Sequence, residues 1–188
     1  MKLKKIEGII KKSKSVAIVE NGGAFWLGNE RAMFPTYFEH MSLDALMTMF
    51  DLDEEKRESI TEIPSELVAR ADTGDSCSNE ELLKRVPMRI VWGKPLLPLY
   101  VSDRKEIYYI DERLLEPVRD AKEGIELYLR RDAAGKPYIA VKSGMLLIGL
   151  IEPEEADADM LQVLGCLYDL TRNVLKETFP DLQERLYE

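Results

Sequence analysis

An α+β protein is what the sequence predicts: antiparallel strands packed with helices, and a long helix near the C-terminal end. Three observations predict it. Apolar residues recur at helical spacing over residues 2–12 and again over 157–179. Between them, short apolar or alternating runs are separated by turn pairs such as Asn-Gly and Gly-Lys. The 188 residues, 45% hydrophobic and 32% charged, are long enough to bury a core and ordinary for a globular chain.

Leu3, Ile6, Ile9 and Ile10 form the apolar side of a first amphipathic helix, with lysines opposite. "SVAIVE", the turn "NGG" and "AFWLGNERAMF" then read as a hairpin, because Asn-Gly between apolar runs supplies the positive φ angles of a tight turn. Ser42 caps a helix through Phe50 whose inner side is Leu43, Leu46, Met47 and Phe50, and Asp53 caps a short polar helix. "ADTGDSCSNE", residues 71–80, has no periodicity and reads as a loop or linker.

Strand text follows. "MRIVW", the turn "GK", "PLLPLYV" and "EIYYI" are strands, with Pro98 favouring a sheet edge because it has no N–H to donate. Asp111 caps a short helix. "IELYLRR", "PYIAV" and "MLLIGLI" form a three-stranded antiparallel meander, and the last, apolar on both faces, belongs centrally in a sheet covered on both sides. The final helix is expected to cover that sheet and to keep apolar surface for another contact. The expected organisation is a small α+β lobe at 1–70, an acidic linker at 71–85, and an antiparallel sheet with its long helix at 86–188.

Charge and composition exclude several function classes. Residues 1–14 hold six lysines against Glu7, while the rest carries 20 basic and 34 acidic side chains, for a net charge of −9. Only a concentrated patch would engage phosphates, and Lys4, Lys5, Lys11 and Lys12 are the candidates for contact with DNA or an acidic partner. The longest apolar run, Met145 to Ile151, is far below the ~20 residues a membrane-spanning helix needs. Cys77 and Cys166 make neither a disulfide framework nor a metal spacing, so a cytoplasmic setting is expected.

No phosphate-cradling glycine loop and no nucleophile elbow occur, and neither a catalytic residue, a metal nor a cofactor is expected. The acidic run from Glu152 to Asp159 reads as a solvated helix start. The alternative is a small enzyme in which the sole histidine, His40, meets Glu39 and another carboxylate at the lobe interface. Methionines gather at Met33, Met41, Met47 and Met49; Met41, Met47, Met49 and Phe50 are candidates for binding a partner, against the competing reading of a small-lobe core.

At "LLPLYVSDRKEIYYIDERLLEPV" and "ELYLRRDAAGKPYIAVKSGMLLIGLIEP" the chain resembles a family of short phage and prophage proteins of Firmicutes. The matching motifs are turns and strands, so the resemblance implies life in a bacterial cytoplasm and transfers no site residue. A weaker likeness, at fold level, is to DNA sliding clamps, whose modules also run helix, hairpin, helix and antiparallel strands. The function expected from these readings is a non-enzymatic accessory protein. It would associate with another protein or with itself as a homo-oligomer, or hold DNA in a clamp-like manner through its N-terminal lysines.

Overall fold

The structure, a computed structural model, describes residues 3–36, 38, 40–101 and 106–178. It is α+β, with five α-helices and a mostly antiparallel sheet of eleven strands among the described residues. Helix α1 (Leu3–Ser13) ends at Lys14, whose φ of 56° turns the chain directly into β1 (Ser15–Asn21). Gly22 and Gly23, both at positive φ, make the two-residue turn to β2 (Ala24–Gly28) that the Asn-Gly signal predicts. A second hairpin leads to β3 (Ala32–Thr36). The sequence reading ran β2 and β3 together, because the turn between them is held by the buried Asn29 side chain, which accepts from the N–H groups of Arg31 and Ala32.

Ser42 and Asp53 cap α2 (Leu43–Met49) and α3 (Glu54–Glu58) as expected. The short β4 (Thr61–Glu62) and α4 (Glu66–Arg70), capped by Ser65, follow. Then come β5 (Glu81–Arg85), β6 (Ile90–Trp92), β7 (Lys94–Val101), β8 (Glu106–Asp111) and a 3-10 turn, Glu112–Leu115. The meander is β9 (Glu126–Arg131), β10 (Pro137–Ser143) and β11 (Leu146–Ile151), and α5 spans Ala158–Thr178.

Pro98 lies inside the sheet. β7 pairs with β8 along one side, and with β5 and β6 in succession along the other. Pro98 falls where β5 has ended and β6 has not begun, and only its carbonyl is used there, by Val86 N–H. The missing donor costs nothing at such a gap.

The chain divides at Glu154/Glu155 rather than at 71–85. Residues 1–154 form one compact unit, because β3 pairs with β11 and β5 pairs with β9, so strands from both expected lobes enter one sheet. β11 is central, between β3 and β10. Alternation along β10 sends Ile139 and Val141 into one core with Ile6, Ile10 and Leu46 of the helices. It sends Tyr138 and Ala140 into a second core, on the other face, with Leu67 and Val68 of α4. The sheet also curls back on itself: Tyr109 of β8 bridges Glu154, just past β11.

Residues 155–188 are the second unit. Its helix begins where Asp157 accepts from the N–H of Met160, and Leu161, Val163 and Leu167 are exposed along it.

Candidate functional site

A cleft of about 810 Å³ opens between β3 and β11. The two strands are paired only at Leu150↔Met33 and Ile151↔Ala32, and part beyond them. The cause lies in β11. Val141 pairs with Gly149 and Lys142 with Leu147, which leaves Ile148 as an extra residue. Such a bulge bends its strand and ends the pairing on its far side. Pro35 and Thr36 form one wall, Leu146, Leu147 and Ile148 the other.

Local hydrogen bonding decides what the cleft can accept. In a hairpin with a two-residue turn the closing pair exchanges hydrogen bonds, and the next pair points its backbone groups outward. The β10–β11 hairpin closes at Ser143↔Leu146, so Leu147 points its N–H away from β10. Asp75 Oδ1 accepts that N–H at 2.8 Å. The β2–β3 hairpin closes at Asn29 and Ala32, which makes Met33 and Pro35 the outward residues of β3. Met33 is used by β11, and Pro35 has no N–H. Both edges of the cleft are therefore blunted against a further strand. What remains is a receptor for side chains.

Its rim is apolar. Phe38, Met145 and Leu146 are 36%, 77% and 56% exposed, a concentration of large apolar side chains around one opening. Three charges stand beside them, the exposed Asp75, Glu123 and Lys122. The Glu123 carboxylate lies against Gly144, where a side chain would strike it.

Of the residues predicted to touch DNA or an acidic partner, Lys4, Lys5, Lys11 and Lys12 are all exposed on α1. Two are engaged: Lys5 with Glu116 at 2.8 Å and Lys11 with Glu7. Lys12 lines a separate polar cavity of about 340 Å³. The methionine set separates. Met47 and Phe50 are buried in the core, because both lie on the inner side of α2, and they present no surface to a partner. Met41 packs half-buried against the same core, and Met49 is exposed.

His40 is exposed, and Glu39 lies outside the described residues. Among the described residues no hydrogen bond or ion pair joins His40 to a carboxylate, and no cluster of three or more metal-ligating side chains occurs. The acidic run is not solvated throughout. Glu152 pairs with Arg70 and Lys136, and Glu154 with Arg31 and Lys94. No helix among the described residues is long and apolar enough to cross a membrane.

The sequence reading missed Pro35, Phe38, Asp75, Met145 and Leu146 as site residues. A β-bulge leaves no mark in composition, and Asp75 stood in a segment read as a linker. The chain matches no family model, no curated protein and no solved structure.

Proposed function

We propose that this chain is a non-enzymatic binding protein that takes an apolar side chain of a partner protein into the β3–β11 cleft. The observation that carries the reading is the apolar rim of Phe38, Met145 and Leu146 around a cavity whose strand edges lack free outward N–H donors at Leu147 and Pro35. Buried anchors of this kind supply most of the binding energy at protein interfaces. Asp75 and Glu123 outnumber Lys122 at the rim, and the chain as a whole carries −9. Charge complementarity therefore favours a partner segment with a basic residue beside its apolar anchor.

The DNA-holding alternative has less behind it, since Lys5 and Lys11 already have anionic partners and the rest of the chain repels phosphates. The phage setting rests on the sequence resemblance alone.

The test is selection from a displayed random-peptide library against the full chain, followed by affinity measurement with the Met145→Ser, Leu146→Ser double variant. Both positions are exposed, so the variant keeps its core. Enriched peptides should share an apolar residue next to Lys or Arg and bind the variant about ten-fold more weakly, since two apolar contacts are worth ~1.4 kcal/mol or more. Selection of acidic peptides, or of peptides indifferent to the double variant, would end the proposal.

A further inference from the structure

We propose that the polar cavity between the end of α1 and the start of the 3-10 turn is a receptor for a small oxyanion, the carboxylate or phosphoryl group of a low-molecular-weight ligand. The cavity, about 340 Å³, draws Lys12 from α1, Arg31 from the β2–β3 turn, Lys94 from β7 and Arg113 from the 3-10 turn. Four cations from four segments converge there. Three carboxylates share the lining, Glu30, Asp111 and Glu154.

Two of the three carboxylates are already paired with cations. Glu154 accepts from Arg31 at 2.9 Å and from Lys94 at 2.7 Å, one cation on each oxygen. Asp111 is gripped by the Arg113 guanidinium through both of its oxygens and also accepts the Arg113 backbone N–H at 3.1 Å. Glu30 gives one oxygen to the Ser15 hydroxyl and has no ion pair among the described residues, so its charge offsets one of the four cations. The donors are not used up. Lys12 has no ion-pair partner among the described residues. The Nε–H of Arg31 is buried and lacks an acceptor among the described residues.

A guanidinium offers five N–H donors and an ammonium three, so Arg31 and Lys94 each retain donors after binding Glu154. The balance left over is positive and rich in donors, which is what an oxyanion requires. A cation would meet a lining in which four cations outnumber three carboxylates. The carbonyl of Ile10 at the end of α1, which would otherwise repel an anion, already accepts from Lys14 N–H and the Ser13 hydroxyl. The fold also holds the pocket in place: Glu154 N–H donates to Tyr109 O at 2.7 Å and Glu152 N–H to Arg31 O at 2.8 Å. The backbone carrying Arg31 and Glu154 is thus fixed before any ligand arrives, which lowers the ordering cost of binding.

Inorganic phosphate is the probe, titrated into the full chain at low ionic strength while backbone amide NMR shifts are followed. Saturable shifts are expected at Lys12, Arg31, Lys94 and Arg113. Lys12→Gln should raise the dissociation constant about five-fold, the loss of one charge-assisted contact, while Lys4→Gln on the same helix but outside the cavity leaves it unchanged. Both side chains are exposed, so neither change threatens folding. Displacement of phosphate by acetate would assign the pocket to carboxylates, and failure to displace would assign it to phosphoryl groups. Linear, non-saturating shifts, or equal weakening by both variants, would reduce the effect to diffuse surface charge and overturn the proposal.

Discussion

Arg130 is the least expected side chain in the molecule. In the sequence the pair Arg130–Arg131 looks like a basic flank on a strand, yet Arg130 is fully buried while Arg131 is exposed. Its guanidinium donates to both the carboxylate of Glu80, at 2.6 and 3.0 Å, and the carbonyls of Asp72, Gly74 and Asp75. Lys142, also buried, donates to the other Glu80 oxygen at 2.9 Å and stands over the Tyr128 ring. This cluster pins the 71–80 segment to the sheet and so sets Asp75 beside the cleft. Burial pushes the Glu80 carboxyl up, but the hydrogen bonds from Lys142 and Arg130 outweigh it, and the group titrates below its ordinary value near 4.5. A depressed folded-state pKa means that the unfolded chain binds the proton more tightly. The stabilisation is therefore present above about pH 4.5 and is lost as pH falls through the lower folded value. Glu80→Gln should cost about 3 kcal/mol at neutral pH, because it leaves two buried cations without a counter-charge. Urea unfolding at pH 7 and at pH 3 checks both parts: the difference between variant and parent should shrink in acid. An equal difference at both values would remove the electrostatic account.

Packing against two glycines sets the geometry of the hairpins that frame the cleft. A Cβ on Gly28 would fall 1.9 Å from the backbone oxygen of Ala32, which cannot move without breaking the β2–β3 turn. A Cβ on Gly149 would press on the Phe34 ring, at 3.0 and 3.1 Å, with the Met33 backbone oxygen at an ordinary 3.6 Å, and a ring can shift by a few tenths of an ångström. Gly28→Ala should thus be the more damaging, beyond about 3 kcal/mol, against 1–2 kcal/mol for Gly149→Ala, the range of modest overpacking. Adding Phe34→Leu should relieve the second and not the first; chemical denaturation of the four variants settles the order. Neither glycine is distinguishable in the sequence from one tolerated in a strand. Elements with local signals were legible: the caps Ser42 and Asp53, the Asn21-Gly22-Gly23 turn, the period of α1 and the meander all stand where the text places them. Elements held by distant partners were not. β5 needs β7 and β9 on its two sides, and its "ELLKR" carries little strand pattern. The cleft needs Ile148 to be left over from pairing, a fact of register that no local propensity records.

At the scale of the molecule the open question was one body or two lobes over residues 1–154, and the sheet answers it in energetic terms. Two lobes on a polar linker would unfold separately, each at its own denaturant midpoint. Here β3 hydrogen-bonds to β11, β5 to β9, and Arg70 before the 71–80 segment pairs with Asp132 beyond it at 2.9 Å. Neither half of the sequence completes a core alone, since Phe34 of the first half and Ile139 of the second lie in the same cluster. Unfolding of this unit should then be a single cooperative transition. The two tryptophans make the test direct, because they report from opposite sides of the supposed boundary. Trp26 is buried in β2, and Trp92 is partly exposed at the end of β6. In the single-tryptophan variants Trp92→Phe and Trp26→Phe, fluorescence follows one side at a time. Each midpoint is compared with that of the same variant's circular dichroism, so that any stability change from the substitution cancels. Coincidence of fluorescence and dichroism in both variants is the expected result. A fluorescence transition that precedes the dichroism in one variant and follows it in the other would mean that the halves come apart independently. The shared sheet would then be a weak contact between lobes rather than the body of the fold.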